Sequence, residues 1–237
     1  MDALQSLLAN VDLDRTLAVG VLCLARWAPL VLLAPFFAAR AMPVSARLGV
    51  ALALTVLVFP AANDAAGPLP PSTAWLTLLV LKEVLVGAVL GLLVALPFRA
   101  LEAGGRLVDT ARGARMAEVL AAPVAGRASP LGAFLLLLGV ALFFTVDGHL
   151  LVIRAVAASY RALPVGAALA PDAPADLARL ALYLTSRFFW VALGLAAPVL
   201  AAVILLDLAL GLAARLAPQL PLYFLGLPIK ALGGILL

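Results

Sequence analysis

Charged side chains stand inside otherwise apolar stretches of this chain, among them Arg26, Lys82, Glu83, Asp147, Arg187, Asp207 and Lys230. A charge at mid-bilayer costs about 2.5–3.5 kcal/mol on insertion scales, so each one needs a reason to be there. Three reasons fit. Snorkelling to the interface suits Lys230 and Asp147, which lie near the ends of their stretches. Pairing inside a helical bundle suits Lys82 and Glu83. As neighbours in sequence they point to different sides of a helix, so each needs a partner on another helix, such as Asp207 or Arg26. The third reason is that these segments sit in a protein assembly with a wetted lumen. The residues alone leave all three open.

Catalytic chemistry finds little to work with. The single histidine, His149, rules out a metalloprotease HExxH pair, and the sequence has no GxSxG turn, phosphate-binding Walker loop or Cys/His ligand cluster. Beside Asp147 and Gly148, His149 has the groups of a proton relay, against the plainer reading of a polar residue at the interfacial end of a span. No acid, base and nucleophile can be drawn together, so the expectation is a protein with no enzyme activity, no cofactor and no metal. Cys23 is the only cysteine, so no intrachain disulfide forms, and it reads as a small buried hydrophobe.

Composition defines the class. Of 237 residues, 66% are hydrophobic and 12% charged, with a mean hydropathy of +1.19, against about 45–50% and about 25% in soluble domains. Sixteen basic and twelve acidic residues are too few to cover the outside of a compact soluble fold. Lipid or partner proteins must take up much of the surface. The apolar mass is Leu, Ala and Val, with aromatics at 7%, which favours helices over a barrel with aromatic girdles. The expected fold class is an all-α membrane protein. The net charge of +4 has no basic run interleaved with aromatics behind it, so nucleic acid is not an expected partner. Met1–Asp14 carries Asp2, Asp12 and Asp14 and no basic residue, unlike a cleavable signal, so insertion is expected to rely on the spans themselves.

The elements that must position these charges are about six apolar stretches, roughly 16–38, 48–62, 75–97, 131–156, 180–214 and 220–237. The fifth is long enough for a bent span or a helical hairpin, with Pro198 near its middle. Asn63–Ser72 and Ala170–Asp176 read as Pro-rich turns, and Asp176 as a cap for a helix from Leu177. The connector from Arg99 to Pro130 is the longest polar insertion. Its first part reads as helix, with Arg99, Glu102, Arg106 and Asp109 along one face. Its second part, Gly113 to Pro130, has breakers at Pro123, Gly126 and Pro130 and reads as a loop. With the N-terminus outside, inner connectors hold Arg40, Arg47, Arg99, Arg106, Arg112, Arg115, Arg127 and Arg215, and outer ones hold Arg15, Arg154, Arg161 and Arg179. That asymmetry supports six spans with both ends outside.

The spaced residues resemble the SctT/FliR family of type III secretion export-apparatus membrane proteins. The resemblance runs through Arg26, Pro35–Phe36, Pro43 and Arg47, then Lys82–Glu83 with Gly87 and Gly91, then Ala103–Gly104, Asp109, Gly113 and the Pro123 to Ser129–Pro130 stretch. It continues through Phe143–Phe144, Gly148–His149, Ser159–Tyr160 and Pro164, and ends with Pro198–Val199, Asp207, Gly211, Arg215, Pro218–Gln219 and Pro228–Ile229–Lys230. Residues 109–114 and Ser129–Leu131 look more like the injectisome branch than the flagellar one, whereas Leu220–Pro221 departs from an Asn-containing stretch often found there.

The resemblance implies a single export-gate domain over residues 1–237, packed in a helical ring with homologous SctR/FliP-type and SctS/FliQ-type subunits. SctU/FlhB-type and SctV/FlhA-type proteins lie beside it, in the bacterial inner membrane, with helices partly raised to the periplasmic side. Unfolded secreted proteins would be the cargo and membrane lipid the surroundings. It also implies a pore or plug loop carrying Arg106, Asp109, Arg112, Gly113, Arg115, Pro123, Gly126, Ser129 and Pro130. Inter-helix or inter-subunit polar contacts would fall to Arg26, Lys82, Glu83, Asp207, Arg215, Gln219 and Lys230. The competing expectation is an independent ion- or solute-coupled transporter, with Glu83, Asp207 and Lys82 as its mid-membrane site.

Overall fold

The computed structural model describes residues 13–37, 42–69, 72–113, 129–168 and 173–216. They form six helices: α1 (Leu13–Leu33), α2 (Val44–Ala65), α3 (Thr73–Ala111), α4 (Pro130–Thr145), α5 (Gly148–Ala162) and α6 (Ala173–Leu216). No strand occurs among the described residues. The all-helical class expected from composition is what is observed. α1, α2, α3 and α6 are each long and apolar enough to cross a membrane, and α4 with α5 passes the same test as a bent pair. The stretch 220–237 lies outside the described residues.

Three of the expected stretches change shape. The stretch 131–156 is broken into α4 and α5, because Asp147 adopts φ 55° and ψ 28°, a left-handed conformation that ends helical pairing. The stretch 75–97 is the first part of α3, which continues through Pro97 to Ala111 and takes in the helical half of the polar insertion. The stretch 180–214 is the long span of the two alternatives and not the hairpin: α6 is one helix from Ala173 through Pro198 to Leu216. Smaller boundaries move as well. α2 extends to Ala65, so Asn63 is helical instead of starting a turn. Asp176 lies within the first turn of α6 and not at its cap, and it pairs with Arg179 at 3.5 Å on the surface.

Contacts divide the chain into two compact units, one of residues 1–95 with 143–179 and one of residues 96–142 with 180–237. In the first unit, α1 buries Val19, Leu22, Cys23, Arg26, Trp27 and Leu30, a spacing of three and four that lines one helical face. That face packs on Ala51, Val58 and Ala62 of α2, on Leu79 of α3, and on Val156 and Tyr160 of α5. Gly87 and Gly91 of α3 let α1 approach to backbone contact: a Cβ on Gly91 would stand 2.9 Å from the Leu30 Cα. In the second unit, Val108 of α3 packs with Ala196, Val199 and Val203 of α6, against Leu131 of α4. Gly104 and Gly105 bring α3 close to its neighbours, with a Cβ on Gly105 falling 2.7 Å from the Gly132 Cα.

Candidate functional site

Two clusters of buried charge stand out, one in each unit. The first is built on α1 and α3. Arg26 is fully buried and donates from Nε to Glu83 Oε2 at 2.5 Å. Its two terminal nitrogens donate to Ser159 Oγ at 2.9 Å and to the Leu163 carbonyl at 2.9 Å, at the end of α5. The guanidinium also lies over the Tyr160 ring, 4.1 Å from its centre, so the whole planar group is covered. Lys82 donates to the carbonyls of Pro164, Val165 and Ala167 at 2.9, 3.0 and 2.9 Å.

As neighbours in sequence on α3, Lys82 and Glu83 are expected to diverge, yet their charged ends meet: Lys82 Nζ lies 2.6 Å from Glu83 Oε1. The flexible lysine stem permits it. All three ammonium donors already point at carbonyls, so Glu83 Oε1 receives the charge without an aligned hydrogen bond. The carboxylate therefore serves two cations, and the carbonyl groups after α5, the electronegative end of a helix, share the load. Asp207, the other partner envisaged for these residues, is exposed on α6.

The second cluster surrounds Asp109, which is 1% exposed. Its Oδ1 accepts from Arg112, with Nε at 2.9 Å and a terminal nitrogen closer still. Its Oδ2 accepts from Ser129 Oγ at 2.5 Å and from the Leu131 amide at 3.0 Å. Ser129 Oγ in turn accepts from the Gly132 amide at 3.0 Å. Ser129 is thus the N-cap of α4 and Pro130 its first helical residue, where a missing N–H costs nothing. Read from sequence as a loop breaker, Pro130 instead starts a helix. Arg106 turns to Glu102 at 2.5 Å, and Arg99 pairs with the same carboxylate at 3.0 Å. Asp109 leaves that row for its own partners.

The remaining residues singled out from sequence fall elsewhere. Gly113 has φ 75° at the turn that ends α3. Arg215 is exposed in the last turn of α6, where a cation suits the helix dipole. Arg115, Pro123, Gly126, Gln219 and Lys230 lie outside the described residues. His149 opens α5 with its ring 5.3 Å from that of Phe144, and its Nδ1 has no hydrogen-bond partner among the described residues. Sequence reasoning missed Ser159 and the Leu163–Ala167 carbonyls as partners of Arg26 and Lys82. The helix-ending Pro164 was the one signal that carbonyls would be left open there.

Helices of this length, with buried ionic clusters and exposed apolar faces, define a multi-pass helical membrane protein. A family model described as bacterial export proteins, family 1, matches residues 17–237. The flagellar biosynthetic protein FliR of Caulobacter vibrioides is 28% identical over 217 residues, 92% of this chain and 85% of that protein. The FliR of Bacillus subtilis is 32% identical over 200 residues, 83% and 75% of the two chains. The Yop proteins translocation protein T of Yersinia pestis is 34% identical over 186 residues, 78% and 70%. The chain belongs to this family of bacterial export proteins, the one that the sequence resembles, and is a multi-pass protein of the bacterial inner membrane. Flagellar and translocation relatives match at similar identity, so the preference for the injectisome branch has no more support than the flagellar alternative.

Proposed function

We propose that this protein is a core subunit of a type III export gate, forming part of the inner-membrane entry for unfolded secreted proteins, and that residues 1–237 act in it as a single domain. Family membership supplies the class, and one observation favours a gate subunit over an independent transporter. Exposed large apolar side chains run along α6 from Leu182 to Leu216, a length of about 50 Å at 1.5 Å per residue. The hydrocarbon core of a bilayer is about 30 Å thick. Lipid alone does not cover such a face if the helix stands upright, and neighbouring helices do. α3 has the same property, with exposed apolar residues from Trp75 to Leu107.

The partners that fit are the SctR/FliP-type and SctS/FliQ-type subunits, in a ring beside SctU/FlhB-type and SctV/FlhA-type proteins. Arg26, Lys82 and Glu83 hold the outline of the first unit within one chain. Asp207, Arg215, Gln219 and Lys230 are assigned to contacts between subunits. The stretch from Gly113 to Pro130, reached from Arg106, Asp109 and Arg112 and containing Arg115, Pro123, Gly126 and Ser129, is assigned to the channel as a plug. Deleting Gly113–Gly126 is expected to raise small-ion leak through the assembled complex, and an unchanged leak sinks the plug. Purification separates the broader readings: a gate subunit is stable in detergent only with its ring partners, and a chain that is monodisperse and stable alone favours the transporter.

A further inference from the structure

We propose that α6 meets the bilayer between Arg187 and Asp207, and that Arg187, with Tyr183 and Trp190, holds the phosphate of a phospholipid headgroup at one membrane surface. The nineteen residues from Phe188 to Leu206 carry no charge. They lie within the single helix α6, so they span about 29 Å at 1.5 Å per residue, against about 30 Å for the hydrocarbon core of a bilayer. Arg187 and Asp207 thus stand one hydrocarbon thickness apart, each next to an end of the run. Tyr183, Phe188, Phe189 and Trp190 gather at the Arg187 end, and Tyr and Trp are the side chains enriched where hydrocarbon meets headgroups. The proposal needs the membrane class alone and not the gate reading. It gives lipid one part of the long apolar face and leaves Leu182 on one side, and Leu208, Leu212 and Leu216 on the other, for neighbouring subunits.

The local geometry fits a phosphate. A side chain on a helix leans toward the helix N-terminus, so Arg187 reaches back from the apolar run, the direction in which a snorkelling cation must point. Its Nε donates to the Tyr183 hydroxyl at 3.1 Å, and its guanidinium carbon lies 5.4 Å from the centre of the Tyr183 ring. Tyr183 thereby fixes one edge of the guanidinium, and the two terminal nitrogens have no partner among the described residues. Two parallel N–H donors are what a phosphate accepts from arginine. Tyr183, Arg187 and Trp190 are spaced by four and three, so they share one exposed face of α6. The opposite face carries Ala196, Val199 and Val203, packed with Val108 of α3, so the three residues point away from that seam. Another helix is the competing occupant, but it would have to bring an acceptor for Arg187, whereas a bilayer brings the anion and the matching thickness together.

The test uses the assembled complex with its cysteines replaced, including Cys23→Ala, in vesicles of phosphatidylethanolamine and phosphatidylglycerol. Spin labels are placed singly on exposed positions of α6, at Leu182→Cys, Leu193→Cys, Ala197→Cys, Ile204→Cys and Leu212→Cys. The ratio of collisions with oxygen to collisions with a water-soluble nickel chelate reports their depth. It is expected to peak at residue 197, the midpoint of the run, and to be about threefold lower at residues 182 and 212, outside the hydrocarbon. Labels at 193, 197 and 204 that collide with neither reagent lie under another subunit, which overturns the proposal and leaves the gate reading in place. A peak elsewhere along α6 overturns it as well. The phosphate contact is read separately, by native mass measurement of the complex taken from the same vesicles. Retained phospholipid is expected to fall about twofold in Arg187→Gln, which loses the charge-assisted donors, and by less in Arg187→Lys. Tyr183→Phe, which loosens the guanidinium without removing it, is also expected to lower retention, and serves if Arg187→Gln does not assemble. Retention equal to the parent's in the variant that assembles, or inorganic phosphate taking the place of the lipid, overturns the headgroup assignment.

Discussion

Gly87 of α3 lies so close to Arg26 of α1 that a Cβ at residue 87 would overlap the Arg26 carbonyl oxygen. The contact involves backbone, which cannot rotate away, so a side chain there must part the two helices. The same separation pulls the Arg26 guanidinium from Glu83. In an ordinary helix interior, Gly→Ala stabilises by about 0.5–1 kcal/mol. Gly87→Ala is expected to do the reverse and lower the amount of assembled complex recovered in detergent. Gly20, whose Cβ would meet nothing within 4 Å, is the control: Gly20→Ala should leave recovery unchanged or raise it.

Glu83 faces two buried cations, Arg26 and Lys82. Removing one partner of a buried pair costs about 3–5 kcal/mol, because the surviving charge stays buried. Glu83→Gln is expected to lower the thermal stability of the purified complex and to reduce secretion through loss of assembly. Glu83→Ala with assembly and secretion at parental level would show that the pair is dispensable.

Lys82 binds three carbonyls that follow α5. Hydrogen bonds to a charged group contribute about 1.5–3 kcal/mol. Lys82→Met keeps the stem and removes the donors, so hydrogen exchange of residues 163–168 is expected to accelerate in the intact complex while exchange in α2 is unaffected. Lys82→Arg is expected to restore protection only in part, since a planar fork does not reproduce three donors converging from one nitrogen. Equal exchange in parent and Lys82→Met rejects the carbonyl clamp.

Asp147 holds a left-handed backbone conformation with no side-chain bond capping α5. Only glycine, and to a lesser degree Asn or Asp, adopts it without a penalty of about 1–2 kcal/mol. Asp147→Gly is therefore expected to be neutral or stabilising in thermal unfolding of the complex, and Asp147→Val destabilising. Gly148 beside it has no such latitude, because a Cβ there would run into the Phe143 ring. Equal melting of the Gly and Val variants at residue 147 would remove backbone strain as the reason for the break between α4 and α5.

Membrane class, the approximate number of apolar stretches and the anomaly of Arg26, Lys82 and Glu83 are legible in the residues. Hydropathy is a sum over the chain, and a charge inside an apolar run stands out on residue type alone. Prolines alone do not mark where helices end. Pro97 and Pro198 lie inside unbroken helices, and Pro130 begins one, where no N–H is needed. The break at Asp147, by contrast, carries no proline at all.

Residue types and their order are enough to make this chain an all-helical membrane protein of the export family, since composition and the succession of spaced motifs act without reference to distance. Who pairs with whom is settled by folding: Glu83 serves both Arg26 and its own neighbour Lys82, Lys82 turns to backbone carbonyls after α5, and Asp109 reaches Leu131 across 22 residues. Those partners are backbone groups and distant side chains. Backbone carbonyls and amides are the same at nearly every residue, so no residue type marks them, and only the packed helices bring the chosen ones within hydrogen-bond reach.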